Sequence, residues 1–435
     1  MRIIWHSVPS VYKTGYGTQT RIWTQRIKRD HEVAISSIIG GMPSYQNEDD
    51  IMTLGCGPRM CWGNDFIRKH CEIYKPDILL SMSDTFVYDL NKMQHLPWIG
   101  WIIVDSAPLL PALHKSAHAC QHAIAESHFG QDTLKRAGIA STYIPHAIDT
   151  VNDFYPEDRG VCRDRLGKWL DVKLGDRLII TMNSANMSCP SRKNFYAAFT
   201  AFKLLLKKRP DALLYCHTEA SGSLQGGENL GNTARLVGLN PNNLLFCDQY
   251  DYMMGVFKND YMRTVYGASD VMLNSSIGEG FGIPIIEAYA CGCRVIAPAV
   301  SAMLELVDPV DQVREGLWIS QIPGGRQLSV HPQALTERIL ADNRKSAEEY
   351  VALAKQYDIE KVYTDRFMPL INRIKEGEIC LHHDDYQTGN GTLAPEESLW
   401  ETQDTTPSPN AKDIATGSIT PNGAVALHEA MACAE

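Results

Sequence analysis

The stretch from Ser275 to Ala297, SSIGEGFGIPIIEAYACGCRVIA, constrains the fold more than any other part of the chain. Val271 to Asn274, just ahead of it, is an apolar run of strand length. Ser275 to Gly282 is a glycine-rich loop. Pro284 sits where a first-turn proline starts a helix, and Gly292 where a left-handed residue ends one. Val295 to Ala297 is apolar again. Strand, loop, helix and strand in direct succession form a βαβ crossover, the connection between parallel strands. Its loop lies at the carboxyl end of a strand, where open α/β sheets bind ligands.

The same alternation runs through most of the 435 residues, a length that suggests two or three domains. Ile3 to Val8 reads as a strand, Pro9 to Gly17 as a loop, Thr18 to Asp30 as a helix and Glu32 to Ile39 as a second strand. Apolar runs follow at Asp77 to Met82, Trp98 to Val104, His122 to Ala125 and Thr142 to Ile144. Val151 to Asp176 turns polar and charged and reads as a connection, with a short helix at Arg163 to Leu170. A second series begins with a strand at Leu178 to Met182 and a helix at Asn194 to Lys208. Strands at Leu213 to Cys216, Leu244 to Cys247 and Val271 to Asn274 continue it. Leu335 to Gln356 and Asp358 to Glu376 read as closing helices. The expected division is 1–155, 156–345, closing helices at 346–377 that pack back on the first domain, and a tail at 378–435. That tail is rich in Thr, Asp, Gly, Pro, Ser and Asn and has too few large apolar residues to fold alone.

Composition narrows the function. The formal net charge is −10, which gives no global attraction to nucleic acid or anionic membrane. No apolar run approaches the roughly 18 residues of a membrane-spanning helix, and the first residues lack the pattern of a signal peptide. The 12 cysteines include no CxxC pair, which argues against a zinc cluster and for reduced, buried thiols in a cytoplasmic setting. His382, His383, Asp384 and Asp385 look ligand-like but sit in the polar tail, where a solvated linker is the plainer reading.

Glu279 falls in the loop and Glu287 in the first helical turns, eight positions on. Carboxylates accept hydrogen bonds from sugar and ribose hydroxyls. Gly280 and Gly282 let backbone amides approach phosphate or sugar oxygens at a helix start. The pattern E-G-F-G-x-P-x-x-E-A, followed by A-x-G-x-x-V-I-A, resembles the donor-site signature of retaining GT-B glycosyltransferases of family 4. The resemblance spans roughly Met1 to Glu376. It implies an α/β, GT-B architecture: two Rossmann-like domains face a central cleft, and C-terminal helices close back on the first. By resemblance Glu279 contacts the donor sugar and Glu287 the nucleotide ribose, and Phe281, between Gly280 and Gly282, binds in the same donor site. Arg294 stands where the family often has Pro, at the entry to the next strand.

Other landmarks agree. Arg192 and Lys193, in the loop NSANMSCPSRKN, are placed to neutralise the donor diphosphate, although the family often separates the two cations. A solvated basic pair at a helix start is the alternative. Gly15 and Gly17 in TGYGT face donor phosphates and acceptor from the first domain, or make a plain tight turn. Asp105 closes the apolar strand of WIGWIIVDSAP and either orients the acceptor, contacts the donor sugar or caps a turn. ESHFG at Glu126 to Gly130 and IPHAID at Ile144 to Asp149 resemble two further family landmarks, with His146 and Ala147 in place of the usual Asn-Gly. Tyr250 either stacks on the base or packs in the ordinary way.

The expected activity is retaining transfer of a hexose-type sugar from a nucleotide-diphosphate sugar to an unidentified hydroxyl acceptor. The nucleotide sugar is a co-substrate, and no further cofactor is called for. No DxD motif marks a divalent metal site. The alternatives are a sugar-nucleotide epimerase or phosphorylase, a non-catalytic sugar or nucleotide binder, and a viral-type enzyme that glycosylates hydroxymethyl bases in DNA. The acidic balance gives a nucleic-acid acceptor no support. Oligomeric state is open.

Overall fold

The computed structural model describes residues 1–58, 62–224, 226–320 and 324–381. The first sheet contains β1 (Arg2–Ser7), β2 (Glu32–Ser37), β3 (Tyr45–Gln46), β4 (Met52–Leu54), β5 (Ile78–Met82), β6 (Trp98–Ile102), β7 (His122–Ala125) and β8 (Ser141–Tyr143). Their order is β3-β4-β2-β1-β5-β6-β7-β8, parallel except where β3 meets β4. The second sheet contains β9 (Ile179–Asn183), β10 (Leu213–His217), β11 (Leu244–Phe246), β12 (Val271–Leu273), β13 (Arg294–Pro298) and β14 (Gln312–Val313). Its order is β11-β10-β9-β12-β13-β14, and its pairings are parallel. A hairpin, β15 (Gly316–Ile319) and β16 (Gln327–Val330), follows.

Helices cover both faces of the sheets, so the central strands are buried throughout and read as continuous apolar runs. In each sheet the strand order reverses once. The chain steps from β1 outward to β2, then returns to place β5 on the other side of β1. It repeats this with β9, β10 and β12. At such a reversal the two flanking loops diverge and leave a crevice at the strand ends. The crevices belong to the loops after β1 and β5 in one unit and after β9 and β12 in the other.

Of the closing helices expected to pack back on the first unit, Ala347–Ala354 stays on the second, with Tyr350 stacked 5.5 Å from Tyr289, and the chain from Ile359 onward returns to the first. Ile359, Val362, Phe367, Leu370 and Ile371 share one core with Trp5, Trp23 and Trp101. The chain thus crosses between the units twice, and the crossings touch. The Ile148 amide donates to the Tyr357 carbonyl at 3.0 Å, and the Ile359 amide donates to the Ile148 carbonyl at 2.8 Å. Ile379 is buried and Leu381 packs beside it against this core. The remainder of the tail, with His382, His383, Asp384 and Asp385, lies outside the described residues.

Several elements differ from the sequence reading, and three of them have a clear local cause. The first helix begins at Gly15 rather than Thr18, because the Thr14 hydroxyl caps it by accepting from the Gly17 amide at 3.1 Å. The stretch from Leu335 to Gln356 is two helices, Pro332–Leu340 and Ala347–Ala354. Ser346 and Glu349 form a capping box that restarts the second. The helix expected over Asp358 to Glu376 is broken by a π turn at Tyr363–Phe367, just ahead of Pro369. Among the described residues no helix is long and apolar enough to cross a membrane.

Arg294, at the start of β13, is buried. Its Nε and Nη2 donate to Asp311 Oδ1 at 2.8 and 2.6 Å, and it also reaches the carbonyls of Arg338 and Ala341. It therefore ties the turn Pro309–Asp311, which leads into the edge strand β14, to the carboxyl end of helix Pro332–Leu340. Arg294→Ala strands the buried Asp311 carboxylate and is expected to cost about 3–5 kcal/mol of stability. Urea unfolding of the variant against the parent protein measures it.

Candidate functional site

The loop after β12 and the loop after β9 are joined by backbone and side chain alike. The Ile277 amide donates to the Arg192 carbonyl at 2.9 Å, and Ser275 Oγ donates to the Lys193 carbonyl at 2.7 Å. The Glu279 carboxylate lies between the cations of the neighbouring loop. Arg192 Nη1 donates to Glu279 Oε2 at 3.0 Å and to the Gly278 carbonyl at 2.7 Å. Lys193 Nζ donates to Glu279 Oε1, which also accepts from Ser276 Oγ at 2.6 Å. The Glu279 amide donates to Ser301 Oγ at 2.8 Å.

These contacts set the charge states. Burial alone would raise Glu279, but the charges of Lys193 and Arg192 outweigh it and hold its carboxyl well below the usual range. Lys193 is pushed down to about 8 by burial and by the neighbouring Arg192 charge, with Glu279 opposing. Arg192 keeps 39% of its side chain exposed. Against its desolvation, the carboxylates of Glu279 and Asp105 raise it.

Glu287 occupies a separate position. It accepts from Tyr266 Oη at 2.8 Å, and that hydroxyl accepts from Asn183 Nδ2 at the end of β9. Burial lifts its carboxyl to about 7, opposed by the Tyr266 hydrogen bond and aided by the charge of Asp153. The structure therefore brings Arg192, Lys193 and Glu279 together and holds Glu287 apart, on the adjacent helix.

The first unit meets this loop directly. A Cβ built on Gly278 would lie 2.5 Å from the Asp105 carbonyl oxygen, and one on Gly280 would lie 2.4 Å from Glu126 Oε1. Both glycines are required by close approach across the cleft. Gly282, with φ 110°, occupies a conformation open to glycine and starts helix Ile283–Ala290. The ring of Phe281 is buried at the junction of the units, 5.4 Å from His146 and 5.6 Å from Tyr357. Its side chain thus anchors the loop, and only its backbone belongs to the cleft wall.

Gly15 lies at the amino end of the first helix, where a Cβ would come within 3.8 Å of Ile283 Cδ1. Gly17 does not offer the free amide expected of it, because Thr14 Oγ1 accepts from that amide. Its lack of a side chain serves packing, since a Cβ there would fall 2.0 Å from the Tyr12 carbonyl oxygen. Tyr250 is 67% exposed in a short helix, so it does not pack in the ordinary way. Tyr252 packs instead, edge-on to His217 at 5.3 Å.

Two carboxylates escaped the sequence reading as site residues. Asp84 follows β5 at the reversal point of the first sheet. Burial lifts it to about 6, with Arg192 opposing and Asp105 and Glu126 adding to the rise. Glu126 follows β7, is almost fully buried and lies 2.9 Å from His146 Nε2. The signal was the one that singled out Asp105: an acidic residue just past a buried apolar strand.

With this geometry in place, the chain compares with known proteins as follows. Residues 180–327 match the family model described as Glycosyl transferases group 1. An uncharacterised glycosyltransferase of Sulfolobus islandicus rod-shaped virus 1 is 26% identical over 196 residues, which cover 41% of this chain and 52% of the relative. The chain therefore spans about half the length of that curated relative. Sucrose-phosphate synthase from Thermosynechococcus elongatus superposes with a TM-score of 0.67 at 15% identity, covering 87% of this chain and 100% of the other. Anabaena HepE in complex with UDP and glucose superposes at 0.63 with 14% identity, covering 86% and 100%. The architecture is the GT-B fold. Its two sheets face each other through the loops that carry Arg192, Lys193 and Glu279 on one side and Asp84, Asp105 and Glu126 on the other.

Glu287 gives a test of this electrostatic layout. Its folded pKa is raised, so its contribution to stability is complete below about 4.5 and is lost as pH rises towards about 7. Replacing Glu287 with Gln is expected to remove that decline. Unfolding midpoints of parent and variant between pH 4.5 and 8 read it directly, and parallel curves refute it.

Proposed function

We propose that this chain is a retaining glycosyltransferase of the family 4 type, moving a hexose-type sugar from a nucleotide-diphosphate sugar to a hydroxyl acceptor. The observation that carries the reading is the Glu279–Arg192–Lys193 cluster at the strand-order reversal of the second sheet. A carboxylate between two cations is stable by itself, and an arriving diphosphate offers the cations a stronger partner. Arg192 and Lys193 then turn to the phosphates, and Glu279 is released to accept from sugar hydroxyls. Glu287 accepts from the ribose. HepE, whose structure holds UDP and glucose, makes a uridine nucleotide the first donor to try.

In the transfer, the bond from the anomeric carbon to the diphosphate oxygen breaks. A bond from the same carbon to the acceptor oxygen forms on the same face of the sugar. The acceptor proton passes to the departing phosphate oxygen. Arg192, Lys193 and the amides of the first helical turn at Gly15 stabilise the developing phosphate charge. Neither a divalent metal nor an enzyme nucleophile has a part in this scheme. Closure of the two units excludes water from the reacting carbon.

Lys193→Ala is expected to lower transfer and donor hydrolysis by about 100- to 1,000-fold while the fold is kept. A folded variant with parental turnover sinks the assignment. Donor bound without turnover on any acceptor favours a non-catalytic binder instead.

The pH profile follows from two groups of the free protein. Glu287 gains its charge above about 7 and Lys193 loses its charge above about 8. The expected kcat/KM profile is a narrow bell between those values. Glu287→Gln removes the acid limb, and Lys193→Arg moves the alkaline limb upward.

A further inference from the structure

Residues 326–328 touch both walls of the cleft with alternate amides. The Arg326 amide donates to the Ala107 carbonyl at 2.9 Å, in the first unit. The Leu328 amide donates to the Ile277 carbonyl at 3.0 Å, in the loop that carries Glu279. Gln327 stands between them. Its side chain is fully buried, yet neither Oε1 nor Nε2 has a hydrogen-bond partner. A Cβ built on Gly278 would be 3.7 Å from that Nε2 and 2.5 Å from the Asp105 carbonyl oxygen. Ser106, next in sequence, is 2% exposed and its Oγ is also unpartnered. Gly325 rests on it, so closely that a Cβ there would come within 2.6 Å.

Buried amides and hydroxyls are rarely left without partners, because the lost hydration is not repaid. Two of them at one seam between the units, Gln327 beside Gly278 and Ser106 beside Gly325, are groups that a ligand with hydroxyls would satisfy on entering between the walls. A glutamine amide presents a donor and an acceptor side by side, which matches a pair of adjacent sugar hydroxyls. The Ser106 hydroxyl both donates and accepts. The seam's electrostatics narrow the ligand further. Asp84, Asp105 and Glu126 follow β5, β6 and β7, three neighbouring strands, so this wall is acidic. The cations opposing it are Arg192 and Lys193, both of which Glu279 already engages. An anionic acceptor, whether a sugar phosphate or DNA, meets like charge here.

We propose that Gln327, Ser106 and Asp105 form a subsite for the adjacent hydroxyls of a neutral sugar acceptor, which enters when the two units part at this seam. This rests on the glycosyl-transfer reading of the cleft. Gln327 and Ser106 are positioning residues: they hold the acceptor and take no part in bond making. Neither side chain is hydrogen-bonded to Arg192, Lys193, Glu279 or Glu287, so their loss is expected to leave donor binding intact.

The test titrates the full chain, saturated with UDP, with maltose, sucrose and methyl α-glucoside, using glucose 6-phosphate as the anionic counterpart. Saturation-transfer NMR reads binding. The parent protein is expected to bind at least one neutral glycoside and to bind the phosphate at least ten-fold more weakly. Gln327→Leu and Ser106→Ala are each expected to weaken the neutral glycoside about five- to ten-fold, with UDP affinity within two-fold of the parent. Gln327→Leu removes a buried unpartnered amide, so it is expected to unfold no earlier than the parent on heating. A parent that binds UDP but no neutral glycoside overturns the proposal. So do variants with unchanged glycoside affinity, or a parent that prefers the phosphate. If the parent binds neither UDP nor GDP, the glycosyl-transfer reading itself fails, a separate outcome from these.

Discussion

The Glu279 carboxylate, buried between two cations from another loop, is the interaction on which the rest of the site depends. It joins the loop after β12 to the loop after β9, and so closes the crevice that the strand order opens. It also sets the charges around it. Without Glu279, Arg192 and Lys193 would stand side by side at a helix start, where the helix dipole disfavours them. With it, the cations are held in place, and its charge opposes the burial and the Arg192 charge that push the Lys193 amine down to about 8. The cluster thus keeps one net positive charge and is preorganised for an anion.

Much of this was legible in the sequence, because the fold announces itself through buried strands. Ile78–Met82 and Trp98–Ile102 are apolar on both faces, and such runs survive any reading by periodicity. The loop after β12 was legible for a different reason: Gly282 and Pro284 each meet a backbone demand that few other residues satisfy, while Gly280 allows a close approach that a side chain would block. What stayed hidden was tertiary. Gly17 looked like a phosphate-facing amide, yet Thr14 takes that amide, and a cap of this kind depends on which rotamer a threonine adopts. Phe281 looked like a ligand-side residue, yet its ring belongs to the junction with His146 and Tyr357. The hairpin β15–β16 gave no warning, since its two strands have only four residues each.

The two walls of the cleft differ in kind. The second unit offers cations and amides at helix starts, features that suit phosphate. The first offers carboxylates at the ends of three adjacent strands. Asp84, Asp105 and Glu126 come from separate turns of the chain, and no sequence spacing relates them. Only the parallel order β5-β6-β7 makes them neighbours. Asp84 and Glu126 were therefore missed where Asp105 was noticed, although all three occupy equivalent places in the fold.

The paired crossings at Ile148 and Asp358 carry a mechanical consequence. Two domains joined by one strand of chain can swivel, bend and twist about it. Here the two connecting segments are hydrogen-bonded to each other, and Thr150 Oγ1 and the Thr150 amide both hold the Asp358 carboxylate. Arg26 reinforces the pair by binding Asp149 on one segment and Glu360 on the other. A joint fastened along a line in this way keeps a single rotational freedom, as a door keeps on its pin. The loops of the two units therefore meet in the same register at every closure.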